Sequence, residues 1–320
     1  QYMNKRKITQ QQQRRITKRQ TELNDVAELS GLVIANHGQN IEIETAPDNI
    51  VLCKQRRHLG PIVPGDMVTW QQVPNTNTGV VTAIKPRFSL LSRPDQRGIL
   101  HAVAANIQQM LIIFAPEPAP SLSTIDRYLI AARQQAIEPI LVLNKEDLLT
   151  HDNQSSEFTS LLNVYQQIGI KIVSVSVKLV SHLDAIYILM ADKNNVVVGQ
   201  SGVGKSSIIA TLLPELNIKV AVASTTQGKH TTTNARLYHL PHGGNIIDSP
   251  GMREFPLWNI DANALAEAFT EFQPYLTDCQ FRNCLHNNEP GCGLLKAVEQ
   301  GKISVLRLTS YQKILASMQK

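Results

Sequence analysis

The run Gly199-Gln200-Ser201-Gly202-Val203-Gly204-Lys205-Ser206 has the spacing G-x-x-x-x-G-K-[ST]. In that pattern glycines let backbone N–H groups turn toward phosphate oxygens, a lysine reaches the β- and γ-phosphates, and a hydroxyl binds Mg²⁺. Lys205 and Ser206 occupy the last two positions, so the run implies a nucleotide site. A plain glycine-rich turn is the bland alternative, but a strand pattern precedes the run and an apolar helix pattern follows it. A second cluster, Cys279-x₄-Cys284-x-His286-x₅-Cys292, supplies three thiols and an imidazole. That donor set suits four-coordinate zinc, and four protein ligands leave no open position, so one structural Zn²⁺ is expected. Reactive or merely buried cysteines are the alternative.

Asn144-Lys145-Glu146-Asp147 follows the apolar run Ile140–Leu143. The tetrad resembles the guanine-reading N-K-x-D of GTPases. A carboxylate at Asp147 can accept two hydrogen bonds from guanine's ring N–H and exocyclic amine, which adenine cannot supply. Asn144 would approach the base edge, and the Lys145 stem would lie along the ring plane. Asp248-Ser249-Pro250-Gly251 matches D-x-x-G, the element that senses a γ-phosphate and its Mg²⁺. About one chance match is expected in a chain this long, and Asp95-Gln96-Arg97-Gly98 is a second. Asp248 ends the apolar strand of Ile246 and Ile247, whereas Asp95 follows a Ser-Arg-Pro loop; Asp248 is read as functional and Asp95 as a decoy. The polar segment Thr225 to Thr233 suits a mobile switch, in which Thr231 or Thr232 would complete the Mg²⁺ shell.

The elements that must carry these residues come from a chain of 320 residues, 42% hydrophobic and 18% charged, enough for a proper core and two or three domains. No apolar run approaches the ~18 residues that cross a bilayer, and no basic-then-apolar leader precedes the first domain. With four cysteines, too few for a disulfide scaffold, the expectation is a soluble cytoplasmic protein without membrane contact. Residues 1–20 hold seven of the 31 basic residues and no acid, which leaves the rest close to neutral. This glutamine-rich arm (1–29) cannot bury a core, and its charge suits nucleic-acid phosphates; a solubilising tail is the alternative.

From Gly31 to Lys85 five short alternating runs, around Val33, Ile43, Leu52, Val68 and Val81, are separated by turn residues. They predict a small β-barrel over 30–95, of OB or SH3-like type. The loop Lys54 to His58 adds a basic cluster, and Cys53 reads as core. From Asn106 the pattern becomes strand, helix, strand, helix: strands at Met110–Phe114, Ile140–Leu143, Ile172–Val175 and Val196–Val198, helices at Ser121–Ala136, Phe158–Ile168 and Leu183–Met190. Apolar strands alternating with helices imply a parallel sheet covered on both faces, over 96–255. Residues 256–320 read as helical, with helices at Ala262–Phe272 and Ile303–Met318 around the cysteine cluster.

Asn144 precedes Gly199 by 55 positions, whereas in familiar GTPases the phosphate loop comes first. The domain is therefore read as circularly permuted, which chain ends lying close together tolerate. Guanine motif, phosphate loop and D-x-x-G, after a barrel and before a Cys₃His segment, resemble the small-ribosomal-subunit-dependent GTPases, bacterial circularly permuted GTPases of ribosome assembly. The resemblance runs from about Gly31 to the C-terminus. It implies a multidomain α/β protein with an N-terminal OB-fold β-barrel, a central circularly permuted P-loop GTPase domain and a C-terminal helical zinc-binding domain. It implies GTP or GDP with Mg²⁺, binding to the 30S subunit and 16S rRNA late in assembly, and hydrolysis that drives release. Asn144, Lys145, Glu146 and Asp147 would then meet guanine, Gly199 to Ser207 would hold phosphates, and Asp248 and Gly251 would sense the γ-phosphate. Cys279, Cys284, His286 and Cys292 would bind zinc. Met252 stands where many GTPases place a water-orienting glutamine; the resemblance points instead to His230 as the group that positions or activates water. A monomer is expected. The rival readings are an RNA-binding assembly chaperone in which GTP is mainly structural, and a translation or signalling GTPase without an assembly role.

Overall fold

Between Leu29 and Ile84, apolar side chains alternate with polar ones, and the alternation becomes five strands: β1 (Leu29–Asn36), β2 (Ile41–Ala46), β3 (Asn49–Gln55), β4 (Met67–Gln72) and β5 (Thr78–Ile84). The structure is a computed structural model that describes residues 27–56, 58–95, 97–149, 152–176, 184–214, 235–248 and 260–318. The chain divides into two compact units, 1–87 and 88–320.

In the first unit β1 pairs with β2, β2 with β3, β3 in parallel with β5, β5 with β4, and β4 back with β1. That ring is a closed OB-type barrel, in which no strand is left with an unpaired edge. Val33, Ile41, Ile43, Cys53, Val68, Trp70 and Val81 fill it. Gly79 has to be glycine: a Cβ there would lie 2.5 Å from Trp70 and 2.6 Å from Cys53 Sγ. Burial raises the Cys53 thiol to about 11, as befits a core residue.

The second unit opens with a hairpin, β6 (Leu90–Pro94) and β7 (Leu100–Ala105), which the sequence pattern did not announce. Asp95 sits at its turn, where Oδ1 accepts from the Arg97 and Ile99 N–H groups at 2.8 and 2.9 Å. Its role there is to shape the turn. The sheet that follows has the order β10-β9-β8-β11-β13-β12. Its strands are β8 (Gln109–Phe114), β9 (Glu138–Leu143), β10 (Lys171–Ser174), β11 (Asn194–Gly199), β12 (Arg236–His239) and β13 (Asn245–Asp248). All neighbours are parallel except β12, which runs antiparallel to β13. Helices α1 (Leu122–Gln134), α2 (Asp152–Gln167), α3 (Asp184–Met190) and α4 (Lys205–Leu212) connect them, as fully apolar parallel strands require.

The same unit ends in α5 (Ala262–Ala268), α6 (Gln273–Leu276), α7 (Gly293–Glu299) and α8 (Val305–Met318). The single helix expected over Ala262–Phe272 stops at Ala268, because Phe269 turns extended (φ −83°, ψ 92°). That turn stacks the Phe269 and Phe272 rings 4.8 Å apart in the core, and Pro274 then starts the next turn of helix. Among the described residues no helix is long and apolar enough to cross a membrane.

Candidate functional site

In an open parallel sheet, ligands gather beyond the carboxyl ends of the strands. Four of the strands place polar residues there: Asn144 follows β9, Ser176 follows β10, the glycine-rich loop follows β11, and Asp248 ends β13. β11 lies between β8 and β13, so elements distant in sequence meet at one end of the sheet.

The glycine-rich loop is built for close approach. Gly202 and Gly204 adopt φ of +85° and +96°, which side chains resist. A Cβ on Gly204 would fall 2.2 Å from Asn144 Nδ2, and one on Gly199 would fall 2.2 Å from the Ile113 carbonyl oxygen. Lys205 opens α4 and folds its ammonium back, donating to the Gly199 and Gln200 carbonyls at 2.6 Å each. Those carbonyls hold the charge where phosphate oxygens could take it over. Ser206 and Ser207 are exposed in the first turn of α4, and Val203 is buried beneath the loop.

The tetrad after β9 is tied directly to this loop. Asn144 is 2% exposed, and its Nδ2 donates to the Val203 carbonyl at 2.9 Å. Its Oδ1 is buried with no hydrogen-bond partner, a feature that suits a ligand donor. Lys145 adopts φ +59°, and its Nζ donates to Gly202 O at 2.9 Å and Glu117 O at 2.7 Å. Glu146 and Asp147 form one turn of 3₁₀ helix. Asp147 Oδ1 accepts from the buried Ser176 hydroxyl at 2.8 Å, which orients the carboxylate. Sequence reading missed Ser176 and the Glu117 carbonyl. Ser176 had a usable signal, a small polar residue just beyond an apolar strand, the same place that Asn144 holds after β9.

Asp248 stands at the end of β13, adjacent in the sheet to β11, as its assignment over Asp95 requires. His230, Thr231, Thr232, Gly251 and Met252 lie outside the described residues, as do residues 1–20 of the basic arm.

The Cys279, Cys284, His286 and Cys292 donor atoms lie within 4.8 Å of one another. With bonds of about 2.3 Å to sulfur and about 2.0 Å to nitrogen, a tetrahedral ion spaces N and S about 3.5 Å apart. His286 Nδ1 lies 3.5 Å from Cys279 Sγ and 3.5 Å from Cys292 Sγ, so the set fits such an ion. Glu289 braces the loop by accepting from the Leu285, Asn287 and Asn288 N–H groups at 3.0, 2.7 and 3.1 Å. Burial raises the Cys284 thiol to about 12 and lowers His286. Three sulfurs and one imidazole nitrogen packed this close form a pocket whose natural partner is a cation, which would take the cysteines as thiolates.

Residues 84–258, over half of the chain, match the model of the RsgA GTPase family. The chain belongs to that family. RsgA GTPases hydrolyse GTP, and this chain is such an enzyme. It is 43% identical over 326 residues to the small ribosomal subunit biogenesis GTPase RsgA of Hahella chejuensis, covering 98% of this chain and 93% of that one. It is 45% identical over 293 residues to the RsgA of Pseudomonas aeruginosa, covering 91% and 86%. Among solved structures, YloQ, described as a circularly permuted GTPase, superposes with a TM-score of 0.71 at 25% identity, over 92% of this chain and 96% of that chain. YjeQ from Thermotoga maritima gives a TM-score of 0.73 at 28% identity, over 91% and 98%. The RsgA fold accounts for the order of the motifs, with the guanine tetrad ahead of the phosphate loop.

Proposed function

We propose that this GTPase binds the 30S ribosomal subunit and its 16S rRNA late in assembly, in the cytoplasm, and hydrolyses GTP to GDP and phosphate to leave it. The names of the relatives support the partner. The observation that carries the nucleotide site is the pair of bonds from Asn144 and Lys145 to Val203 and Gly202, which lock the base-reading tetrad onto the phosphate loop.

Asp147, held by Ser176, accepts the guanine ring N–H and amine, and Asn144 meets the base edge while Lys145 lines its plane. Glu146 completes the turn that presents Asp147. Backbone N–H groups from Gly199 to Ser207 (Gln200, Ser201, Gly202, Val203 and Gly204 between) cradle the phosphates. Lys205 trades its two loop carbonyls for β- and γ-phosphate oxygens, so its ammonium keeps hydrogen-bond acceptors in either state. Ser206 would hold Mg²⁺, which neutralises charge developing on the phosphate oxygens. Asp248 and Gly251 sense the γ-phosphate, with Thr231 or Thr232 from the switch. His230 positions or activates the attacking water in place of a glutamine. Cys279, Cys284, His286 and Cys292 would hold a zinc ion, which would tie together the loop on which α7 begins. The protein acts as a monomer.

His230→Ala should leave GTP affinity unchanged and lower hydrolysis on small subunits about 10²–10⁴-fold, the usual worth of a general base. A variant that hydrolyses GTP at the wild-type rate removes His230 from the mechanism.

A further inference from the structure

Arg307 lies on α8, in the part of the chain that carries the metal-binding cluster, yet it is 4% exposed and reaches into the nucleotide-binding sheet's helices. Its Nη1 donates to Asp126 Oδ1 on α1, and its Nε donates to Glu271 Oε1 at 2.5 Å. Tyr165 of α2 donates its hydroxyl to the same Asp126 oxygen at 2.9 Å. The guanidinium lies 4.4 Å over the Phe269 ring and 5.5 Å from the centre of the Tyr165 ring. Asp126 Oδ2 and Glu271 Oε2 are buried without hydrogen-bond partners. Such a junction is a poor source of net stability, because desolvating the charges offsets their attraction. It is, however, directional: an apolar seam can slide, whereas a planar guanidinium between two carboxylates has one seating.

The helix that receives Arg307 also touches the nucleotide site. Pro120, Ser121, Thr124 and Ile125, at the start of α1, line one small cavity with Gly199 and Gln200 of the phosphate loop. One turn further, Asp126 meets Arg307, and Ile130 joins the hydrophobic core of α5, α7 and α8. Arg127 donates to Ser317 of α8, and Arg133 to Thr270 Oγ1 at 3.4 Å. A short stiff helix thus borders the phosphate loop at one end and carries the C-terminal helices along its length.

We propose that Arg307 is a positioning residue that links guanine-nucleotide occupancy of the phosphate loop to the seating of the C-terminal helices, through α1. Ordering of the loop by phosphate restrains the first turn of α1, and the junction passes that restraint to α8. The linkage is reciprocal, so a firmly seated α8 favours nucleotide binding by the same factor. This rests on the nucleotide site proposed above.

Amide hydrogen exchange of the full chain, followed by mass spectrometry with and without GDP, tests it. In the wild type GDP should slow exchange in residues 199–207 and, by roughly 5-fold or more, the lower end of ordinary allosteric coupling, in Val305–Met318. In Arg307→Met and in the nearly isosteric Asp126→Asn, residues 199–207 should stay protected by GDP while the α8 response falls below about 2-fold. GDP should then bind more weakly by the factor α8 has lost. An α8 that ignores GDP in the wild type, or keeps its full response in the variants, overturns the proposal. If Arg307→Met does not fold, Asp126→Asn decides alone. Residues 199–207 left unprotected by GDP in the wild type would instead refute the nucleotide site itself.

Discussion

Exchange of Asp147 for asparagine should turn the base preference of the site from guanine to xanthine. The Ser176 hydroxyl donates to Asp147 Oδ1 at 2.8 Å. In Asp147→Asn the amide oxygen can keep that bond, and the NH₂ group then takes the place of the other carboxylate oxygen. An acceptor has become a donor. The amide oxygen can still accept guanine's ring N–H, but the exocyclic amine now meets a donor, so that bond is lost and donor faces donor. A hydrogen bond to a charged partner contributes about 1.5–3 kcal/mol, so GDP binding should weaken by at least that much, or roughly 10–10²-fold. Xanthine carries a carbonyl oxygen where guanine has its amine, and xanthosine diphosphate should bind the variant more tightly than GDP does. Competition between the two nucleotides for a fluorescent analogue reads both affinities in one experiment. Wild-type guanine preference in the variant would show that Asp147 does not read the base, and the whole assignment of the tetrad would go with it.

Gly204→Ala places a methyl group 2.2 Å from Asn144 Nδ2 at φ +96°; the local strain of about 1–3 kcal/mol should weaken GDP binding by about 10-fold or more in calorimetric titration. Unchanged affinity would mean that the loop does not hold the phosphates. Cys292→Ala should lower bound zinc from one ion per chain to none by elemental analysis and reduce the melting temperature; a wild-type protein purified without zinc refutes the ligand set. Removal of residues 1–20 should weaken RNA binding and flatten its salt dependence, by about 0.7–0.9 in slope for each phosphate the arm no longer neutralises. An unchanged slope would make the arm a bystander.

The residues that were legible in the sequence are those whose meaning is local. Gly199 to Ser206 form one loop within a strand–loop–helix unit, and Asn144 announces itself by standing just past an apolar strand. The five barrel strands were legible because each alternates on its own. What stayed hidden depends on distant partners. Arg236–His239 is too short to read as a strand, and becomes β12 because Leu237 lies opposite Ile247. Ala262–Phe272 reads as one helix until Phe269 and Phe272 find a shared core. Arg307 looks like any surface arginine on an amphipathic helix, since its partner Asp126 is 181 positions away.

The central claim is most directly tested by steady-state GTP hydrolysis of the purified protein, alone and with purified small ribosomal subunits. The account predicts a slow basal rate, with no glutamine after D-x-x-G, that rises by roughly ten-fold or more with the subunits, as activators of sluggish GTPases commonly achieve. GTP bound but hydrolysed no faster in their presence would contradict it, and would favour a chaperone in which the nucleotide is structural.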